Sequence, residues 1–556
     1  MSALLFNTAI SLYAGLTLPF FFLAVALTSF GVFCGGSRLF HSYPPPTVGV
    51  GARPDLYSPE GAHPIFGDLW RITKMCDRHQ EQLVEMLVER KKHGVKDPAR
   101  ALTRTIPWNR LVSLTRPEHL EWIQKTNFSQ FQKGPDLPWN MGQILGEGIF
   151  TTDGHAWSVQ RKASSRIFNN HAFRGIIASS ISKSLDELVG VIADFSNKRD
   201  EIALSDLFFR FTLDSFCCMA FGTDPGALKA TLKDEQVPFA SAFDYAQLIM
   251  SRRFTNPIWP ITERLNGTHS LMKKAAKTID EYAFGLIDQR EKELAAKASG
   301  SESGNGEENR EDLLSLYMEI KDDSGKGLTR KALRDATLSL LLAGRDTTAQ
   351  ALAWTVFHLL SQPHHIAVIV EEAERVTNVR RELEYGRLKD MHYTTAVFME
   401  GLRLHPSVPA NVWEAIEDNQ IPNGPRIQKG DKVTWCDWAM ARDPAVWGPD
   451  AGEFKPQRWL DSEGKFHKQS QWKAHMFNGG NRLCLGQTLA TFEGVSVLAR
   501  LFASFDLSFA SDYLATTPMV KTEWCGSETP LYANSLTLPM AQPLRVKASA
   551  RKAERN

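Results

Sequence analysis

The chain has 556 residues, a formal net charge of +1 and a hydrophobic fraction of 43%. A charge balance this close to zero gives no reason to expect a nucleic acid partner. The length alone suggests roughly three or four domains, but the sequence contains no internal repeat. The seven cysteines are scattered, odd in number and without zinc-site spacing, which indicates a reducing compartment and mostly structural thiols.

The N-terminal segment predicts a membrane anchor. No charged residue precedes Arg38, and residues 9–33 are almost wholly apolar or small. A bilayer core requires about 20 such residues, so we expect residues 1–40 to form a single-pass anchor. Positive charge follows this segment, which predicts that residues 41–556 form a cytosolic body. A cleaved signal peptide is the alternative, although the usual basic N-terminal region is missing.

The body of the chain is predicted to be mainly helical with small β-sheets. Residues 106–114 have a strand pattern, and Pro117 is expected to begin a short helix. Residues 427–438 are predicted to form a hairpin whose turn is 429–431. Residues 295–310, rich in Gly, Ser, Glu and Lys, are predicted to be a disordered surface loop.

Two pairs of polar residues have helical spacing. Trp157 and Arg161 are one turn apart and follow the pair Asp153-Gly154. Glu400 and Arg403 are three residues apart and therefore share one helix face. Pairs of this kind are common on surface helices, so their spacing alone assigns no function.

A long helix is predicted over residues 328–360, and it contains the sequence Ala-Gly-Arg-Asp-Thr-Thr at 343–348. Small residues followed by acid and alcohol side chains predict a groove and a local interruption of the helix. Asp346 and Thr347 are therefore candidates for relaying protons. A polar patch on a surface helix is the alternative interpretation.

The most informative segment is 477–486, Phe-Asn-Gly-Gly-Asn-Arg-Leu-Cys-Leu-Gly. Cys484 is a candidate thiolate ligand for haem iron, because backbone N–H groups after it can stabilise the charge. Gly480 would allow a tight turn, and Gly486 would let the backbone pass close to a flat macrocycle. Arg482 would pair with a haem propionate, and Phe477 would shield the sulfur from water. A thiolate on haem iron favours O–O bond cleavage.

These ten residues match the signature F-x-x-G-x-R-x-C-x-G, so the chain resembles the cytochrome P-450 superfamily. The resemblance implies one large haem domain with the cytochrome P-450 fold and haem b bound through Cys484. It also implies that Asp346 and Thr347 deliver protons to bound dioxygen, and that Trp157 and Arg161 contact a haem propionate.

The resemblance gives the pair Glu400 and Arg403 a structural role, with Arg458 as its third member. One position departs from the family pattern. Relatives usually carry a propionate-binding cation four residues after Pro409, where this chain has Trp413. Because indole can donate one hydrogen bond but carries no charge, we expect this position not to supply the cationic propionate contact of the relatives.

Residues 143–154, 211–222 and 253–266 are similar to plant-type long-chain fatty-acid omega-hydroxylases. This resemblance implies hydroxylation of long-chain fatty acids at or near the omega end, with O2 and electrons from NADPH through NADPH–cytochrome P-450 reductase. It implies a monomeric catalytic unit on the endoplasmic reticulum membrane, without nucleic acid. The alternatives are a hydroxylase of alkanes, fatty alcohols or xenobiotics, or a haem-thiolate isomerase or sensor without monooxygenase activity.

Five segments are expected to line the substrate pocket, by their order in the family. They are 128–144, 239–256, 338–342, 407–412 and 536–540. Arg252 or Arg253 is a candidate for holding a substrate carboxylate near the channel mouth.

Overall fold

The computed structural model describes residues 49–551 except 52, 54, 59–61, 64–65, 75–78, 90–100, 169–170, 234, 299–311, 321–326, 379–380 and 521–527. Its helices are α1 Leu69–Lys74, α2 His79–Glu89, α3 Pro117–Glu121, α4 Asp136–Leu145, α5 Gly154–Phe168, α6 His171–Lys198, α7 Leu204–Phe221, α8 Ala227–Thr231, α9 Pro238–Arg253, α10 Trp259–Leu265, α11 Thr268–Ala298, α12 Leu313–Met318, α13 Arg330–Ser361, α14 His364–Val376, α15 His392–Leu404, α16 Asp437–Met440, α17 Pro444–Trp447, α18 Gln487–Ser504 and α19 Tyr513–Thr516.

Its strands are β1 Thr103–Ile106, β2 Asn109–Ser113, β3 Phe131–Gln132, β4 Ile202–Ala203, β5 Ala410–Ala415, β6 Asn419–Gln420, β7 Arg426–Ile427, β8 Lys432–Cys436, β9 Phe505–Phe509, β10 Met519–Val520, β11 Thr529–Pro530 and β12 Arg545–Ala550. The largest sheet has five strands in the order β1-β2-β8-β5-β3, and β4-β12-β9 form a second sheet. This mainly helical architecture with small sheets confirms the predicted fold class.

The central helix α13 agrees with the predicted helix 328–360 in its position but is not interrupted. The hydroxyl of its N-cap Thr329 accepts a hydrogen bond from the Ala332 N–H at 3.1 Å, which starts the helix. Thr347 Oγ1 donates to the Ala343 carbonyl at 2.7 Å. Because a carbonyl oxygen has two lone pairs, it accepts this bond without leaving the helical ladder.

The predicted strand 106–114 is part of a hairpin. Ile106 ends β1 and pairs with Asn109 at the start of β2. The turn between them has Pro107 in its first position, and Trp108 follows with a φ of 63°. Proline fixes φ at the value that the first central position of a turn requires. The chain therefore reverses direction inside the segment that was expected to be extended.

The predicted hairpin 427–438 is wrong. β7 pairs with β6, whereas β8 pairs antiparallel with β5 and parallel with β2. The intervening segment 429–431 bonds to the end of β5, because the Gly430 N–H donates to the Ala415 carbonyl at 2.8 Å. The two strands therefore belong to different sheets.

The short helix at Pro117 is confirmed as α3, with the proline in its first turn. The predicted loop 295–310 is wrong at its start, because α11 continues to Ala298; residues 299–310 lie outside the described residues. The predicted anchor 1–40 also lies outside them. Among the described helices, none is long and apolar enough to cross a membrane.

Candidate active site

The cysteine loop begins with two 3₁₀ turns, His475–Phe477 and Gly480–Arg482, and leads into α18. The Cys484 N–H donates to the Phe477 carbonyl at 2.8 Å, which closes the loop. Gly480 has a φ of +54°, and a Cβ there would lie 2.4 Å from the carbonyl oxygen of Gln124. Only glycine tolerates both conditions, as the sequence predicted. Gly486 differs, since its Cβ would meet the Cys484 sulfur at an ordinary 3.9 Å.

The Cys484 side chain lines a cavity of about 720 Å³. Its thiol is exposed to that cavity. Burial raises the pKa of the Cys484 thiol, while the backbone N–H of Gly486 and the guanidinium of Arg161 act in the opposite direction. The loop and Arg161 therefore offset part of the effect of burial, in the direction that a thiolate ligand requires.

Arg482 connects the cysteine loop to the start of α5. Its Nη2 donates to Asp153 Oδ1 at 2.6 Å, and its guanidinium lies 3.9 Å from the Trp157 ring centroid. Burial lowers the pKa of Arg482 to about 10. Its Nε and Nη1 are buried and have no hydrogen-bond partner among the described residues. A buried guanidinium with two unused donors is suited to bind an anion.

The predicted residues Trp157 and Arg161 line the same cavity, as do Phe477 and Gly486. Sequence reasoning did not single out Lys133, although it lies in the predicted pocket segment 128–144. Lys133 also lines the cavity and donates from Nζ to the Phe150 carbonyl at 2.9 Å. Burial, reinforced by the charge of Arg482, lowers the pKa of Lys133 to about 7. In the sequence it is only a lysine followed by a glycine, a pair too common to identify a functional residue.

Trp413 occupies the position where relatives carry a cation, and it lies in an aromatic cluster. Its ring is 6.0 Å from that of Phe128 and 5.7 Å from that of Trp435. It is 4% exposed and lines the cavity. The nearby cations Arg482 and Lys133 come from other segments of the chain.

The side chains of Asp346 and Thr347 lie on different sides of α13. Thr347 lines the cavity, whereas Asp346 does not. Adjacent residues on a helix point in different directions. Asp346 is buried with its carboxylate 3.1 Å from the Arg345 guanidinium, which also bonds Asp244 of α9 at 2.6 Å. Burial raises the pKa of Asp346 to about 6, partly offset by Arg345.

Glu493 of α18 is a second residue that sequence reasoning missed. It lines the cavity and accepts a hydrogen bond from Ser215 Oγ at 2.5 Å. Burial raises the pKa of Glu493 to about 7, against the effect of hydrogen bonds from Ser215 and Thr348. The sequence signal was the single acid of this helix, nine residues after Cys484.

Glu400, Arg403 and Arg458 come together away from the cavity wall, as the resemblance implied. Arg403 binds Glu400 through two hydrogen bonds of 2.7 Å, and Arg458 Nε donates to it at 3.2 Å. Glu400 is fully buried. The Trp459 indole also donates to it at 2.9 Å, so these contacts fix the segment before the cysteine loop.

All five predicted pocket segments contribute to the cavity wall. Examples are Met141, Phe254, Leu340, Val412 and Leu536, each from a different segment.

The predicted carboxylate ligands are wrong. Arg253 is buried and bonds both oxygens of Glu263 at 2.7 and 2.8 Å, and its guanidinium lies 3.9 Å from the Trp259 ring. Arg252 is exposed and does not line the cavity. Arg253 is not available to a substrate because its N–H groups already bond the carboxylate of Glu263. Arg252 does not reach the cavity because it lies on the outward face of the last turn of α9.

Residues 58–520 match the family model of cytochrome P450. Cytochrome P450 monooxygenase cyp1 of Mycosarcoma maydis is 39% identical over 532 residues, covering 94% of this chain and 79% of that protein. Cytochrome P450 704B1 of Arabidopsis thaliana is 32% identical, covering 79% and 88%. Cytochrome P450 94A2 of Vicia sativa is 34% identical, covering 71% and 76%. The chain therefore belongs to the cytochrome P450 family of haem-thiolate monooxygenases.

Proposed function

We propose that this monooxygenase hydroxylates long-chain fatty acids at or near the omega end. The observation that carries the proposal is the cavity of about 720 Å³, which is lined largely by apolar side chains and has Cys484 in its wall. A largely apolar wall is typical of sites that enclose an apolar organic ligand, and the haem held by Cys484 would take part of this volume. The resemblance of residues 143–154 and 211–222 to plant-type fatty-acid omega-hydroxylases supports the same substrate class.

The residues around Cys484 fit haem b. Cys484 would provide the axial thiolate, and Arg482 offers a propionate two buried nitrogens that have no partner among the described residues. Trp157 and Arg161 lie in the same wall and would complete the propionate contacts. When bound, the haem activates dioxygen for insertion into a C–H bond.

Two of the proton-bearing side chains in the cavity wall lie on the helices α13 and α18. Thr347 presents a hydroxyl from α13, and Glu493 presents a carboxyl from α18 with a pKa of about 7. A group that exchanges its proton near neutral pH is suited to acid–base work. The predicted roles of Asp346 and Thr347 in proton delivery stay predictions, with Asp346 on the α9 side of the helix.

Terminal hydroxylation requires the protein to present a methyl group, whose C–H bonds are stronger than those of the neighbouring methylenes. Positioning can overcome this disadvantage, because holding one atom against the reacting centre greatly raises its effective concentration. The apolar wall residues Leu340, Ala343 and Val412 would hold the end of an alkyl chain.

We also propose that electrons come from NADPH through NADPH–cytochrome P-450 reductase, and that the catalytic unit is monomeric at the endoplasmic reticulum membrane. The apolar segment 9–33 supports a membrane anchor. Exposed apolar residues at α10 also support membrane contact, since Ile258, Ile261 and Leu265 are 57%, 58% and 75% exposed. Large exposed apolar patches commonly mark contact surfaces.

The serious alternative is a hydroxylase of alkanes, fatty alcohols or xenobiotics, which the same apolar cavity would accept. A haem-thiolate isomerase or sensor is the other alternative. The proton-bearing side chains in the cavity wall favour the monooxygenase, because neither alternative needs protons delivered to dioxygen.

The substrate class is tested by turnover. Full-length protein loaded with haem is combined with a reductase and NADPH, and matched fatty acids, alkanes, fatty alcohols and fatty-acid hydroperoxides are supplied. We expect oxidation of the acids, coupled to NADPH consumption, to exceed that of alkanes and alcohols of equal length. Conversion of the hydroperoxide without NADPH, and none of the acid, would contradict the proposal.

A further inference from the structure

We propose that Arg104 of β1 binds the substrate carboxylate. This inference rests on the proposed function and deepens it, by naming the residue that distinguishes an acid from an alkane or an ester. It also differs from the predicted carboxylate ligands Arg252 and Arg253, neither of which lines the cavity.

Arg104 is separate from the other cations of the cavity wall. Among the described residues, five cationic side chains line the cavity: Arg104, Lys133, Arg161, Lys432 and Arg482. Arg482, Lys133 and Arg161 form one group around Asp153 and Cys484. Lys432 is paired with Asp136. Arg104 instead belongs to the wall formed by α2, β1 and β2.

The unused edge of Arg104 has the right shape for a carboxylate. The residue is 8% exposed, and its Nε and Nη2 are buried without a hydrogen-bond partner among the described residues. These two nitrogens form one side of the guanidinium. The same side of Arg253 and of Arg403 binds both oxygens of a carboxylate, at 2.7 to 2.8 Å.

The ion pair between Arg104 and its neighbouring acid is long. Among the described residues, its ion-pair partner is Glu85, whose Oε2 lies 3.4 Å from Nη2, too far for a strong charged hydrogen bond. Glu85 also pairs with Arg71 at 3.5 Å, and Arg71 lies 3.9 Å from Asp68. A substrate carboxylate would therefore compete with a carboxylate that Arg104 holds only loosely.

The position of Arg104 also bears on which carbon is oxidised. The cavity wall near it is formed by Leu102, Ile106 and Leu111, which would pack on the first methylenes of a chain. Cys484 lies in another part of the wall, beside Gly486 and Leu489. A fatty acid held by its carboxylate at Arg104 would direct its methyl end, rather than its acid end, into the remaining cavity.

The test compares hexadecanoic acid with its methyl ester, titrated into the full-length, haem-loaded protein. Binding is measured from the change in haem absorbance, so that the readout does not depend on turnover. We expect wild type to prefer the acid by roughly tenfold, the effect of one charged hydrogen-bonded pair. R104Q should lose this preference while it binds the ester unchanged.

E85Q provides the opposite test. Because it removes the acid that competes for Arg104, we expect it to bind hexadecanoic acid several-fold more tightly than wild type. A purely structural role of the Arg104–Glu85 pair would instead weaken binding in both variants. E85Q also keeps the proposal testable if R104Q fails to fold. Arg426 is exposed, paired with Asp418 at 3.3 Å and absent from the cavity wall, so R426Q is the matched control.

Unchanged acid binding in R104Q, or weaker acid binding in E85Q, would overturn the assignment while the proposed function stands. If wild type binds and oxidises neither the acid nor the ester, the proposed function fails and this inference fails with it.

Discussion

At the scale of single residues, the ionisation of Glu493 has the clearest energetic consequence. It is buried against Ser215 and Thr348, and its pKa rises from an ordinary 4.5 to about 7. The native state therefore keeps a proton that the unfolded state releases between these values. By linkage, the free energy of unfolding falls as pH rises from about 4.5 to about 7, by roughly 3 kcal/mol from this residue.

The variant E493Q should remove this pH dependence. The amide oxygen can still accept the hydrogen bond from Ser215, but it never becomes charged. We expect E493Q to gain stability relative to wild type between about pH 5 and about pH 8, by roughly 2 to 3 kcal/mol. The measurement is urea unfolding of both proteins at the two pH values.

Glu281 of α11 is exposed and pairs with Lys277 at 3.6 Å, so E281Q serves as the control and should show no such trend. An E493Q difference that stays constant between the two pH values would show that Glu493 is already ionised at low pH.

Sequence reasoning at this scale succeeded where residues are close in the chain. The spacing within 477–486 was sufficient to place Cys484, Gly480 and Arg482. It could not identify Asp153 as the partner of Arg482, because 329 residues separate them. It also grouped Asp346 with Thr347, although neighbours on a helix face different directions.

At the scale of secondary-structure elements, the close contact between α13 and α7 shapes the site. A Cβ on Gly344 would lie 2.1 Å from the Phe216 ring of α7, so glycine allows the helices to approach. Both residues also line the cavity. This contact therefore links the packing of the central helix to the shape of the substrate site.

The variant G344A should destabilise the protein. The added methyl group must displace Phe216 or separate the helices, and overpacking of this kind costs roughly 1 to 3 kcal/mol. Thermal unfolding of the full-length holoprotein measures the loss. Gly285 of α11 is the matched control, because nothing lies within 4 Å of its Cβ position.

In that open position alanine is the better helix former, so G285A should raise the stability by about 0.5 to 1 kcal/mol. If G344A were as stable as G285A, the tight approach of α13 to α7 would not exist in solution.

Helices and strands could be predicted from the sequence when nearby residues determine where they begin and end. Thr329 and Pro363 bracket α13, and the predicted bounds differ from the observed ones by only a few residues. The hairpin at 427–438 failed because strand partners depend on distant segments. β8 pairs with β2 and β5 instead of the strand that precedes it.

At the scale of the whole molecule, the cavity combines contributions from segments spread along most of the chain. Arg104 lies in β1 and Leu536 near the C-terminus, with the central helix and the cysteine loop between them in sequence. The family signature predicted the fold class and the five pocket segments. The cavity volume and the positions of the few charged side chains in its apolar wall depend on packing, which no single segment encodes.

The central claim is that the protein presents the methyl end of a fatty acid to the site beside Cys484. The most direct test is product regiochemistry, measured by mass spectrometry after reconstitution with a reductase and NADPH on saturated acids of graded length. We expect mainly terminal hydroxylation at every chain length that binds. A mixture of in-chain products, or oxidation next to the carboxylate, would contradict it.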